Sequence, residues 1–86
     1  MEAQDMTGVA VNAYVLVQTE VGVSKQVAEA IAAIDGVTFA EDVTGPYDVI
    51  ARATAQNMDE LGRLVISRIQ RVPGITRTLT CPVVRL

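Results

Sequence analysis

The apolar positions along this chain switch repeatedly between strand-like and helix-like spacing, and the switches delimit the predicted elements. Ala13-Tyr-Val-Leu-Val-Gln-Thr19 is β-branched and aromatic, with apolar residues on both faces up to Gln18. That pattern reads as a central strand covered on both sides and closed by Gly22. Ser24 is the expected N-cap of a first helix, with Val23 set as a hydrophobic staple against Ala28. Val27, Ile31 and Ile34 follow at i, i+4 and i+7, an apolar stripe of helical period. Gly36 stands where a left-handed residue would end that helix. From Val37 to Val43 the period becomes two, with Val37, Phe39, Glu41 and Val43 on one face and Thr38, Ala40 and Asp42 on the other. Gly45-Pro46 is turn chemistry, and Tyr47 to Ala53 is a further strand, so the pair reads as a hairpin. Pro46 is tolerated because a strand's first residue can lack a ladder donor.

A second helix is bounded by Asn57 and Glu60, a capping-box-like pair. Asp59 and Glu60 lie at the positive end of its dipole, and Arg68 and Arg71 at the negative end. Met58, Leu61, Val65, Ile69 and Val72 make its expected buried stripe. Gly62 weakens such a helix by about 1 kcal/mol relative to Ala, which points to close packing against another backbone. Pro73-Gly74 ends it. Ile75 to Val84 is the last strand, with Ile75, Arg77, Leu79 and Cys81 alternating against Thr76, Thr78 and Thr80.

The predicted order is β-α-β-β-α-β. Ile34-Asp-Gly-Val-Thr38 recurs as Val72-Pro-Gly-Ile-Thr76, 38 positions later, and in both places a helix ends, Gly turns the chain and a strand begins. Two such split halves around a pseudo-twofold make the ferredoxin-like α+β plan: a four-stranded antiparallel sheet with both helices on one face. The other sheet face has no cover within the chain. Strand one offers it apolar residues, so the expectation is a homodimer that packs open face against open face.

Composition narrows the possibilities. Eighty-six residues make one domain, and 50% hydrophobic with 20% charged residues argues against disorder. No run approaches the roughly 18 apolar residues of a membrane span, and no membrane partner is expected. Residues 1–10 read as a loose polar lead without the basic and apolar regions of a secretory signal, and residues 11–86 as the domain proper. A lone cysteine excludes an internal disulfide and suits a reducing, cytoplasmic setting. The absence of His removes most zinc sites and every His-based catalytic arrangement. A net charge of −3 disfavours direct nucleic-acid binding. Only Tyr14, Phe39 and Tyr47 are aromatic, so the core must be aliphatic, and the high apolar content of so small a body again points to self-association.

The inventory of reactive groups is thin, and no catalytic residue, metal or cofactor is expected. Glu41 and Asp42 are neighbours on a strand, so they point to opposite faces and cannot form a facing carboxylate pair. Cys81 has no activating partner and reads as an inert, semi-buried residue. Arg63, Arg68 and Arg71 read as the wet face of an amphipathic helix. Two features stand out. The first is Val43-Thr-Gly-Pro-Tyr-Asp48, where an aromatic and an acid flank a glycine turn. Asp48 there can cap a backbone N–H, or accept from a ligand's ammonium. The second is the threonine row Thr76, Thr78, Thr80, whose spacing of two sets three hydroxyls on one face. An acid and an amide-rich turn beside a hydroxyl row suit a zwitterion such as a free amino acid.

The 43–48 turn, the Pro-Gly-Ile at 73–75 and the Thr-x-Thr-x-Thr strand together resemble the C-terminal effector (RAM) domain of the Lrp/AsnC regulators, over about Asn12 to Leu86. The resemblance implies a ferredoxin-like fold, dimers packed through their sheets, and further rings such as octamers. It implies a small amino-acid effector at the dimer–dimer interface, with Gly45, Tyr47 and Asp48 lining the site and Thr76, Thr78 and Thr80 contributing. Pro46 departs from the acidic or polar residue often found there. Family members of full length carry an N-terminal winged helix-turn-helix. Here at most twelve residues precede the first strand, so the expectation is a stand-alone module that modulates full-length Lrp/AsnC regulators by co-assembly or senses the metabolite itself. Two other readings fit the same element order: a ligand-free structural oligomer or ACT-like regulatory domain, and a small dimeric α+β barrel enzyme.

Overall fold

The computed structural model describes residues 10–84; of the expected polar lead, positions 1–9 lie outside the described residues. Strand β1 (Val11–Thr19) is followed by helix α1 (Ser24–Ala32), strands β2 (Val37–Asp42) and β3 (Val49–Ala55), helix α2 (Met58–Leu64) and strand β4 (Ile75–Pro82). A π-helical turn, Val65–Ile69, continues α2 without a break. The sheet order is β2-β3-β1-β4, with every pair antiparallel. This is the ferredoxin-like α+β fold, with β1 and β3 central and β2 and β4 at the edges.

One face of the sheet and both helices enclose an aliphatic core. Ala13, Val15 and Val17 of β1 and Val49, Ala51 and Ala53 of β3 lie under Val27, Ala28 and Ile31 of α1 and Leu61, Val65 and Ile69 around α2. Alanines and valines on the strands meet a mix of alanine, valine, isoleucine and leucine on the helices, so the core closes without an aromatic ring. Asn57 caps α2 as its sequence suggests: its side-chain oxygen accepts from Glu60 N at 2.8 Å.

The internal echo is visible in the hydrogen bonds. Ile34 N donates to Ile31 O and Val37 N to Ile34 O; at the same offset Val72 N donates to Ile69 O and Ile75 N to Val72 O. Each turn ends on a left-handed glycine, Gly36 at φ 97° and Gly74 at φ 98°. A Cβ on Gly36 would lie 3.0 Å from Leu64 at the end of α2, and one on Gly74 3.0 Å from Val23 at the start of α1, so each half's glycine packs against the other half's helix.

Several boundaries differ from expectation. Ser24 is the first residue of α1, not its cap: Val23 holds the cap position and no side chain caps it. The helix ends at Ala32, so Gly36 turns the chain into β2 and does not terminate α1 directly. Strand β3 starts at Val49 and β4 stops at Pro82. Thr38 is bulged out of the β2 ladder, which flips the alternation: Val37 and Ala40 are half-buried against the core and Phe39 turns out. Met58, expected in the buried stripe, is 55% exposed, because α2 begins there beyond the sheet's cover. No atom would lie within 4 Å of a Cβ on Gly62, so its expected backbone contact is absent among the described residues.

Candidate functional site

The 43–48 turn is closed by Val43 N donating to Asp48 O at 2.9 Å, and it joins β1 through Asp48 N to Val17 O at 2.8 Å. Beyond that point β3 has no backbone left to continue the ladder. The Asp48 carboxylate does so instead: its Oδ2 accepts from Thr19 N at 2.8 Å. Gln18 Nε2 donates to Pro46 O at 3.1 Å and holds the turn from the other side of the sheet. Gly45 has φ 139° and open space around it, and Tyr47 is half-buried. The backbone-capping role open to Asp48 in the sequence is therefore filled, with the second carboxylate oxygen left available.

Across β1 lies the start of β4. Thr78 sits opposite Val17, so Asp48 and Thr78 flank the same residue from either side. The threonines do not form one row. Between Gln18 and Thr19 the β1–β4 register slips, bulging Thr76 out of the ladder and breaking the spacing of two. Thr76 is exposed, whereas Thr78 and Thr80 are half-buried on the helix side, and Thr80 lies two pairs further along, opposite Val15. A cleft of about 280 Å³ is lined by Gln70, Ile75, Thr76, Arg77 and Thr78. In it Gln70 Nε2 donates to Thr78 Oγ1 at 2.8 Å. Residue patterning did not single out Gln70; a signal was nevertheless present, since the 38-residue offset aligns the pair Gln70 and Thr78 with Ala32 and Ala40.

The edge of β4 adds backbone groups. Val83 N donates to Asn12 O at 2.7 Å, which fixes the phase of the ladder: odd-numbered β4 residues bond to β1. The N–H and C=O groups of Thr78 and Thr80 consequently face the free edge. Pro82 falls on the same outward phase, so its missing N–H costs the ladder nothing. This end of the sheet thus presents hydroxyl and amide donors on one side of β1 and a carboxylate with turn carbonyls on the other.

The uncovered sheet face is the second surface. Phe39, Arg52, Tyr14 and Cys81 lie in one cross-strand row, and Glu41, Ile50, Leu16 and Leu79 in the next. Tyr14, Phe39, Leu79 and Cys81 are all exposed. Arg52 Nη1 donates to Tyr14 Oη at 2.7 Å, with its guanidinium carbon 5.1 Å from the ring centroid. Among the described residues no group of three His, Cys, Asp or Glu side chains could hold a metal, and no helix is long and apolar enough to cross a membrane.

An antiparallel βαββαβ sheet with helices on one face only, an apolar open face and a cluster of polar groups at one sheet end defines a ferredoxin-like α+β module. A family model described as the Lrp/AsnC ligand binding domain matches residues 12–86, and the chain belongs to that family. Among solved structures, TTHA0845 from Thermus thermophilus is 32% identical, with 88% of this chain and 95% of that one covered and a TM-score of 0.82. E. coli AsnC shares the fold over 100% of this chain and 58% of its own, with a TM-score of 0.83 at 20% identity. An uncharacterised HTH-type transcriptional regulator of Pyrococcus furiosus is 38% identical over 56 residues, which are 65% of this chain and 37% of that protein. The chain spans less than half the length of the curated relatives it matches.

Proposed function

We propose that this domain is a non-enzymatic, amino-acid-responsive oligomerisation module in cytoplasmic transcription regulation. It dimerises through the open sheet face and takes a small amino acid between dimers, where the Asp48 turn and the Gln70–Thr78 cleft supply complementary halves of the site. Full-length Lrp/AsnC regulators are its natural co-assembly partners. The observation that carries this reading is a mismatch of scale. Asp48 and Thr78 lie two strand spacings apart, roughly 10 Å. The ammonium and carboxylate of one amino acid are about 3 Å apart and each hydrogen bond adds about 3 Å, so a single copy could hold one ligand at both groups only fully stretched across β1. Asp48 of one copy and Thr78 of another can meet one ligand without that reach, which supports a site between protomers. In keeping with this, a neighbour of the same fold, the regulator NMB0573 from Neisseria meningitidis, was solved as a complex with L-Met.

Thermal shift and light scattering with a panel of amino acids test the reading. One or a few should raise the melting temperature and the assembly mass together, because a ligand that bridges dimers stabilises them by mass action. Thr78→Val and Asp48→Asn should each lose the response. Mixing the two variants after dissociation should partly restore it, because some interfaces then join an intact Asp48 to an intact Thr78. A fixed assembly indifferent to every amino acid would overturn the effector role. It would favour the second reading, a ligand-free structural oligomer, which the bonds already made by Asp48 to Thr19 and by Thr78 to Gln70 also support.

A further inference from the structure

We propose that the cleft between the Asp35-Gly36 turn and α2, at the far end of the sheet from Asp48, is a separate ligand site that holds a small organic carboxylate on the guanidinium of Arg68. The cleft has a volume of about 450 Å³ and is lined by that turn, by the end of β3 and by Glu60, Arg63, Leu64 and Arg68. That volume falls within the roughly 300–1,000 Å³ of small-molecule sites. Strand β3 runs from the Asp48 turn to this cleft, and Thr54 at its far end lies about 20 Å from Asp48 at about 3.3 Å per residue. The cleft is therefore independent of the proposed effector site.

The internal repeat explains why a cleft opens here. Glu20 to Val23 join β1 to α1, but only Gln56 and Asn57 join β3 to α2. In the longer connection Val23 packs over Gly74. On the shorter side Gly36 meets Leu64 and the Thr54 carbonyl, and the cleft opens beside them. At the 38-residue offset Arg68 aligns with Ala30, so its guanidinium stands at an exposed position where the first half has none. Glu60, Leu64 and Arg68 are spaced i, i+4, i+8. In an unbroken α-helix such positions drift round the axis, since a turn takes about 3.6 residues. The wider π-helical turn at Val65–Ile69 takes up that drift, and all three residues line the cleft. Glu60 and Arg63 pair with each other at 3.5 Å, and among the described residues no carboxylate lies within ion-pair distance of Arg68. Arg68 thus keeps its fork of N–H donors for a ligand, and a guanidinium takes a carboxylate through two parallel hydrogen bonds. Leu64 beside it suits a short aliphatic tail. Asp35 and Glu60 balance the charges of Arg63 and Arg68, so the cleft repels a polyanion and fits a single carboxylate.

Isothermal titration calorimetry tests the assignment with two probes, pentanoate and L-norvaline, which share a carboxylate and a tail and differ in the ammonium. At millimolar concentrations at least one of them should bind through Arg68. Arg68→Ala copies Ala30 of the first half, should keep the wild-type circular dichroism spectrum and melting temperature, and should lower the affinity about tenfold or more. Arg68→Lys keeps the charge without the fork and should lose most of the same affinity. Thr78→Val, at the other end of the sheet, should leave Arg68-dependent binding as it is. Norvaline binding tighter than pentanoate supports a free amino acid as the source of the carboxylate, with Asp35 taking the ammonium; pentanoate binding as tightly or tighter supports an organic acid without an amine. Failure of both probes to bind, a folded Arg68→Ala protein or an Arg68→Lys protein that binds as wild type does, or loss of binding in Thr78→Val would each overturn the proposal.

Discussion

Asp48→Ala separates the structural duty of this carboxylate from its proposed duty toward a ligand. The substitution deletes the acceptor for Thr19 N, which is held at 2.8 Å in a part-buried position. A hydrogen bond to a charged acceptor contributes about 1.5–3 kcal/mol net. Water can reach part of the freed amide, so the expected loss sits at the low end, about 1–2 kcal/mol. Urea unfolding at one fixed protein concentration measures it, since assembly ties stability to concentration. With a slope near 1 kcal/mol/M, the midpoint should fall by about 1–2 M at unchanged slope. Asp48→Asn keeps an oxygen at the same place and should cost less than about 1 kcal/mol, yet it removes the charge that an ammonium would need. The informative outcome is a pair: Asn nearly as stable as wild type but blind to amino acids, Ala both destabilised and blind. An Ala variant of wild-type stability, or an Asn variant as damaged as Ala, would refute the assignment of Asp48 as the cap of the β1 ladder.

Gly74→Ala forces a Cβ to 3.0 Å from Val23 at φ 98° and should cost about 2–3 kcal/mol, whereas Gly22→Ala, at φ 86° with open space, should cost only the roughly 1–2 kcal/mol of left-handed backbone; thermal melts of the two variants check the difference. Asn57→Ala removes the acceptor of Glu60 N and should lower stability by about 1 kcal/mol in urea unfolding. Cys81, exposed on the open face, should react slowly with a thiol reagent in the wild-type assembly and quickly in Leu79→Glu; equal rates would argue against burial of that face between copies.

The element order, the hairpin, the Asn57 cap and the aliphatic core were legible because each rests on local spacing or on a residue whose backbone preference is strong. The bulges at Thr38 and Thr76 were not. A bulge is a property of two strands in register, and each of these threonines continues a flawless period of two when read along its own strand. Along the single strand Phe39 falls with Val37 and the three hydroxyls fall in one row; in the paired sheet they do not. The π-helical turn leaves no mark in the sequence for a similar reason: its defining bond, Gln70 N to Val65 O at 2.8 Å, spans five residues, and no residue type demands it. At the candidate site, Asp48 was visible as a turn acid whose two possible roles could not be separated without Thr19 beside it.

The internal duplication gives a way to tell scaffold from site. At the 38-residue offset Val27, Ile31 and Ile34 align with Val65, Ile69 and Val72, and Gly36-Val37-Thr38 with Gly74-Ile75-Thr76. Even the bulges fall at equivalent positions. Packing and turning therefore impose the same demands on both halves, and the repeated residues are those that meet them. Core positions can differ too, as Val15 does from Ala53, so a difference is informative only away from the core. Ala32 and Ala40 stand where the second half has Gln70 and Thr78, so small apolar residues are compatible with that corner of the fold. The polar pair thus stands where the other half of the scaffold does without one, at the same sheet end as the Asp48 turn. The same comparison makes a cheap control. Gln70→Ala combined with Thr78→Ala copies the first half's residues into the second and should fold with nearly wild-type stability. If that variant unfolds, the pair belongs to the scaffold; if it folds and loses its amino-acid response, the pair belongs to the site.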